Sequence, residues 1–127
     1  MRPTTRRVLL PLLLAPLAVA ADRPDRVPAA TPAGRAQTCI SIPQIRQSLV
    51  RSDQVIDFVM TGRRTYRVTL DQPCPRLGFE QRFSYETTLS QLCSSDIITV
   101  LNVTGPPQGA SCGLAPFQPV TLAGKAR

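Results

Sequence analysis

Between Gln54 and Leu70 the chain reads QVIDFVMTGRRTYRVTL, two alternating segments around a glycine. In the second segment Tyr66, Val68 and Leu70 alternate with Thr65, Arg67 and Thr69, the period of a half-buried strand. In the first, Ile56, Phe58 and Met60 share one side, and Val55 and Val59 join the core if both faces are covered. TGRR supplies the turn through Gly62, so the pair reads as a hairpin. Upstream, IRQSLV sets Ile45, Gln47 and Leu49 against Arg46, Ser48 and Val50, and Arg51-Ser52-Asp53 links it to the hairpin. A three-stranded antiparallel meander follows, with a short helix over 43–50 as the alternative for its first arm.

Working outward, DQPCPRLG (71–78) is a proline-bounded loop around Cys74. FEQRFSYETT admits a helical turn, since Phe79 and Phe83 are four apart, or a strand, and a strand over 82–88 is expected. In QLCSSDIITVL (91–101) and the two residues after it, Ile97, Thr99, Leu101 and Val103 share one face and Ile98 and Val100 the other. Apolar residues on both faces predict a central strand covered on both sides. Ser94-Ser95-Asp96 reads as the turn into that strand, its side chains bonding nearby amides, rather than as an acid poised beside a reactive Cys93. TGPPQGASCG reads as a loop, and FQPVTL as a last strand at a sheet edge, because Pro119 has no ladder donor. About six short strands result. The expected fold is mainly β, a small antiparallel β-barrel or sandwich stapled by two disulfides, with an α+β domain carrying one short helix as the alternative.

The ends read differently. MRPTTRR precedes the apolar run VLLPLLLAPLAVA, which closes on Ala18-Val19-Ala20. That order predicts a signal peptide over 1–20. The run is short of the roughly 20 apolar residues of a membrane span and is broken by Pro11 and Pro16, so no membrane association is expected after its removal. Residues 21–37, rich in Pro, Ala and charge, predict a disordered spacer; 38–122 is the domain and 123–127 a flexible tail. The full chain of 127 residues carries a net charge of +7, but within 38–122 seven arginines face six acids. The basic excess belongs to the ends and is poor support for nucleic-acid binding, and no nucleic-acid partner is expected. Arg63, Arg64 and Arg67 form the only dense basic group and read as a solvated hairpin tip. One lysine and thirteen prolines point to a bacterial, GC-rich source.

Cys39, Cys74, Cys93 and Cys112 are even in number and, after export, meet an oxidising compartment, so two disulfides are expected. Spacing leaves the connectivity open; the preferred pairs are Cys74 with Cys93, which joins neighbouring segments, and Cys39 with Cys112, which ties the domain's start to its end. The wide spacing and the absence of histidine argue against zinc, and no Cys-x-x-Cys redox pair occurs.

Histidine-free, the chain can build no Ser-His-Asp or Cys-His arrangement. The acids of the domain are Asp53, Asp57, Asp71, Glu80, Glu86 and Asp96, and a pair such as Glu80 with Glu86 would serve only a carboxylate-based enzyme. No phosphate-binding loop, cofactor motif or metal set is visible, and no catalytic residue is assigned. The six aromatic residues, at strand spacing, read as core. Asn102-Val103-Thr104 matches the glycosylation sequon, a match without meaning in a bacterium.

CISI, DFVMTGRRTYRVTL, CPRLGF, FSY, QLCSSDIITVL and GASCGLAPFQPVT together resemble a family of small exported bacterial proteins known only as a domain of unknown function. The resemblance spans roughly Cys39 to Thr121; Val68-Thr69 departs from it, where an asparagine is expected. It implies export and a shared fold, and supplies no activity, ligand or catalytic residue. The functional expectation is therefore an exported, soluble, periplasmic or secreted protein. It would act as a non-enzymatic binding or inhibitor-like module towards an envelope protein or small ligand. A purely structural envelope component, or an enzyme using carboxylates, is the alternative. The candidate binding loops are Thr61, Gly62, Arg63 and Arg64 at the hairpin tip, and Gly105, Pro106, Pro107, Gln108 and Gly109 within the 105–113 loop, because rigid scaffolds place recognition on loops.

Overall fold

The structure, a computed structural model, describes residues 8–13 and 27–123. Most of the predicted signal peptide, the spacer up to residue 26 and the tail from 124 lie outside the described residues; residues 8–13 are exposed and without regular structure. Among the described residues no helix is long and apolar enough to cross a membrane.

Ten strands are described: β1 (Ala30–Pro32), β2 (Cys39–Ser41), β3 (Ile45–Val50), β4 (Val55–Met60), β5 (Thr65–Thr69), β6 (Phe83–Tyr85), β7 (Gln91–Cys93), β8 (Ile97–Leu101), β9 (Gln108–Gly113) and β10 (Gln118–Leu122). One α-helix of a single turn, α1 (Leu77–Glu80), interrupts them. All the pairings are antiparallel: a five-stranded sheet in the order β1-β10-β5-β4-β3, a three-stranded sheet β6-β8-β9, and the pair β2-β7. The arrangement is sandwich-like and is not a closed barrel.

The meander forms as its alternation dictates. Ile56, Phe58 and Met60 of β4, Tyr66 and Val68 of β5 and Leu70 just after it are all buried. Opposite them, Ile98 and Val100 of β8 and Leu92 of β7 are fully buried. Phe58 joins the layers: its ring lies 5.7 Å from Phe117 and 6.3 Å from Phe83, both edge-on. Such edge-to-face pairs add roughly 0.5–1.5 kcal/mol each beyond the area they bury.

Several expectations are corrected. β8 is central in its sheet but its second face is only partly covered: Thr99 and Leu101 are half-buried, Ile97 is 59% exposed, and Val103 just past the strand is 72% exposed. FEQRFSYETT is not one strand over 82–88: a helical turn turns Phe79 outward and ends at Gln81 in the left-handed region, and only Phe83–Tyr85 then pairs with β8. The 105–113 segment is loop only as far as Pro107. Its remainder is β9, with a bulge opposite Val100, between the Thr99–Ser111 and Leu101–Gln108 pairs, where Gly109 makes room: a Cβ there would lie 2.9 Å from Asn102 Oδ1. β10 is not an edge strand, because β1 pairs with its outer side. The Pro119 carbonyl faces β1 and accepts the Ala33 N–H at 2.8 Å. In an antiparallel ladder the N–H and C=O of one residue point the same way, so the missing donor falls where the β1 ladder already ends.

The spacer is likewise shorter than 21–37. β1 lies inside it, Gln37 and Phe117 exchange both backbone bonds at 2.8 Å, and Ala123 N–H donates to Ala29 at 2.8 Å. An edge strand such as ATP needs no apolar period, because it covers little of the core.

The disulfides are Cys39–Cys93 and Cys74–Cys112, not the preferred pairs. β2 pairs with β7, which sets Cys39 directly opposite Cys93 with Cα atoms 4.0 Å apart. Fully buried Cys74 reaches Cys112 on β9 at a Cα separation of 6.0 Å. Closeness along the chain is the wrong guide here; strand register decides the partners.

Candidate functional site

The hairpin tip and the start of the domain build one basic mouth. The turn Thr61–Arg64 projects from β4–β5, with Gly62 (φ 79°) and Arg63 (φ 66°) in the left-handed region and Met60 N–H bonded to the Arg64 carbonyl at 2.8 Å. Beside it the chain bulges away from β10. Ala33 bonds Pro119 and Gln37 bonds Phe117, so Gly34, Arg35 and Ala36 stand opposite Gln118 alone. The Gln118 side chain holds this bulge by donating to the Gly34 carbonyl at 2.8 Å.

Bulge and turn enclose an open cavity of about 530 Å³, rimmed by Arg35, Arg63 and Arg64. A second hollow of about 330 Å³, bordered by Ser41, Gln44 and Thr61, adjoins it; Gln37, Arg64 and Tyr66 line both. Among the described residues no acid lines either cavity, and no carboxylate pairs with Arg35, Arg63 or Arg64. Tyr66 is 5% exposed, yet its hydroxyl makes no hydrogen bond with any described residue. Among the described side chains, the one sealed polar atom without a partner is Asn102 Oδ1, so the Tyr66 hydroxyl keeps some accessible surface, and Tyr66 lines both hollows.

The third arginine of the predicted tip is elsewhere. Arg67 lies on the outer face of the five-stranded sheet and grips fully buried Asp57 through two bonds, Nε to Oδ1 at 2.8 Å and a terminal nitrogen to Oδ2 at 3.0 Å. Arg51 Nε closes the cluster on Oδ2 at 2.9 Å. Asp57 is thereby a structural anion with both oxygens occupied.

The other acids are dispersed. Asp53 accepts the Gly78 N–H at 2.7 Å and fixes α1. Glu80 pairs with Arg76 at 2.9 Å and accepts the Val103 N–H. Its carboxyl sits below its ordinary value, first because of the Arg76 bond; burial opposes this, and the Val103 N–H and the charges of Arg76 and Arg82 assist. Glu80 and Glu86, the pair singled out in the sequence, share none of the described cavities; Glu86 lines a cleft of about 530 Å³ with Asp96 instead. Asp96 Oδ2 accepts the Cys93 N–H at 2.7 Å, closing the Ser-Ser-Asp turn, and Cys93 is bridged. No group of three or more potential metal ligands occurs among the described residues.

Of the second candidate loop, Gln108 alone reaches a described cleft, the one shared by Glu86 and Asp96. The carbonyls of Pro106 and Pro107 are taken by the Asn102 side chain and backbone, both at 3.0 Å, Gly109 is packed against Asn102, and Gly105 (φ 81°) serves the turn. The Asn102 amide of the sequon is thus engaged within its own loop.

The sequence points to the turn Thr61–Arg64 but not to Arg35, Gln37 and Tyr66. Tyr66 reads as core and is core, and nothing in its alternation marks the unbonded hydroxyl. Arg35 lies in a segment that reads as spacer; the nearest signal is Gly34 before a basic residue. Compared with family models, curated proteins and solved structures, the chain matches none.

Proposed function

We propose that this chain is an exported, non-enzymatic binding module of the bacterial envelope that recognises an anionic ligand at the arginine-rimmed mouth. The order of basic segment, apolar run and Ala18-Val19-Ala20 supports export, as do two disulfides, which persist in oxidising compartments. The resemblance of CPRLGF and LCSSDIITVL to small exported proteins agrees with it.

The observation that carries the binding reading is the charge of the mouth. Three arginines rim it, with no carboxylate among the described residues, on two turns tied to a disulfide-stapled sandwich. Arginines without acidic partners favour planar, multiply accepting anions. A cavity of this size lies within the ordinary range for small-ligand sites.

The test is retention of the oxidised protein on immobilised dextran sulfate. R63A/R64A should elute at clearly lower salt than R46A/R82A, which removes equal charge from exposed positions outside the mouth. Equal elution of the two double variants would remove the mouth as the binding surface.

A further inference from the structure

We infer that the ligand of this mouth is a hydroxylated anion of sugar size, a uronate or a sugar phosphate, with the Tyr66 hydroxyl reading one of its oxygens. The inference rests on the anionic reading of the mouth and specifies its occupant. The first support is Tyr66 itself. A phenol on a buried ring usually finds a partner, because its hydroxyl has few water sites left to choose from. Here the residue is 5% exposed and the hydroxyl is unpartnered among the described residues, while Tyr66 lines both hollows. Its inward orientation from β5, opposite Pro119 of β10, sets it in the floor between bulge and turn. The little surface the residue keeps therefore belongs to the mouth, and a ligand oxygen there would complete its hydrogen bonding.

The second support is the lining. A bare inorganic anion would leave most of a cavity of about 530 Å³ empty. Beyond the arginines, the walls offer neutral hydrogen-bonding groups: Gln37, Ser41, Gln44, Thr61 and Thr121. The backbone N–H groups of Gly34, Arg35 and Ala36 also donate to no described residue. Such a surface suits hydroxyls around an anionic group. A nucleotide fits less well, because no exposed aromatic face lines the mouth for a base to stack on: Tyr66 is buried, and exposed Phe79 lies under Arg76 outside it.

The experiment is an NMR titration of ¹⁵N-labelled oxidised protein with glucuronate, glucose 6-phosphate, glucose and inorganic phosphate, repeated on Y66F. Because the hydroxyl has no partner among the described residues, Y66F should keep the urea midpoint of the parent. Both sugar anions should shift the amides of 34–37 and 61–66, and glucose should not. Y66F should weaken sugar-anion binding roughly tenfold, the loss of one hydrogen bond to a charged ligand. If inorganic phosphate binds as tightly as glucose 6-phosphate and Y66F is indistinguishable from the parent, the sugar-acid assignment is overturned while the anionic mouth stands. That assignment also falls if phosphatidylglycerol vesicles bind and glucuronate does not compete. If no anion moves these amides and the R63A/R64A difference on dextran sulfate is also absent, both readings fall.

Discussion

Asp57 offers the sharpest test of how the outer face of the five-stranded sheet is held. Its carboxylate is fully buried and accepts two bonds from Arg67 and one from Arg51, whose side chains are 13% and 21% exposed. Breaking a fully buried pair costs about 3–5 kcal/mol. Here the arginines can regain water, so D57A is expected near the lower limit, about 3 kcal/mol. Hydrogen bonds to charged groups contribute about 1.5–3 kcal/mol each before screening, and partial exposure of Arg67 reduces its two to a coupling of about 2 kcal/mol. Arg51, with one bond, should couple by about 1 kcal/mol. The expected order of loss is D57A, then R67A, then R51A, because R51A leaves the two-bond contact intact while R67A leaves Asp57 with one partner. Double-mutant cycles on urea unfolding of the oxidised proteins measure each coupling directly. Because the acid is buried, most of the Asp57–Arg67 coupling should survive 1 M salt, where the screening length is about 3 Å. A coupling below about 0.5 kcal/mol, or one abolished by salt, is the behaviour of an exposed pair and would refute the argument.

Peptide mapping of the unreduced protein should recover Cys39–Cys93 and Cys74–Cys112; a Cys74–Cys93 peptide would contradict the β2–β7 register. C74A/C112A should lower stability by about 4 kcal/mol, from the 38-residue separation it leaves open in the unfolded chain, read by urea unfolding. Glu80 should titrate below an ordinary glutamate in a carbon-detected NMR titration, and E80Q should remove one acid-sensitive contribution. Since the folded value is the depressed one, that contribution is complete above the unfolded-state value and is lost as pH falls through the folded value. G109A should destabilise by about 1–3 kcal/mol in the same urea assay, because its Cβ would sit 2.9 Å from Asn102 Oδ1 and 3.2 Å from the Val100 carbonyl. G113A, with nothing within 4 Å, should stay within about 0.5 kcal/mol.

What is legible in the sequence is whatever depends on side-chain alternation. Ile56 to Leu70 announces a hairpin with one buried face because six inward residues repeat at period two. Ile98 and Val100 announce a strand with one buried face for the same reason. What alternation cannot report is which strands meet. Cys39 gives no sign that β2 lies against β7, and ATP gives none that it flanks β10, because backbone bonds between edges carry no side-chain signature. Ile97 and Val103 mislead in the opposite sense: apolar residues on a second face predict a second covering layer, and none covers them.

The candidate site is the least legible part, and the reason is topological. Its arginines are contributed by segments nearly thirty residues apart, Arg35 before β2 and Arg63-Arg64 after β4, and they meet only because β10 lies between β1 and β5. Pro119 ends the β1 ladder, the chain bulges out over Gly34–Ala36, and the gap that bulge leaves is the mouth. A proline that reads as the mark of an edge strand is instead what opens the sheet beside the site. The arginines of the hairpin are divided: Arg67, one strand residue past Tyr66, points to the outer face and is paired with Asp57, while Arg63 and Arg64 reach the rim with no acid to meet them among the described residues. Alternation along β5 thus sends Arg67 to the outer face and Tyr66 to the inner one, while Arg63 and Arg64 belong to the turn that precedes the strand, and among the described residues the Tyr66 hydroxyl has no partner.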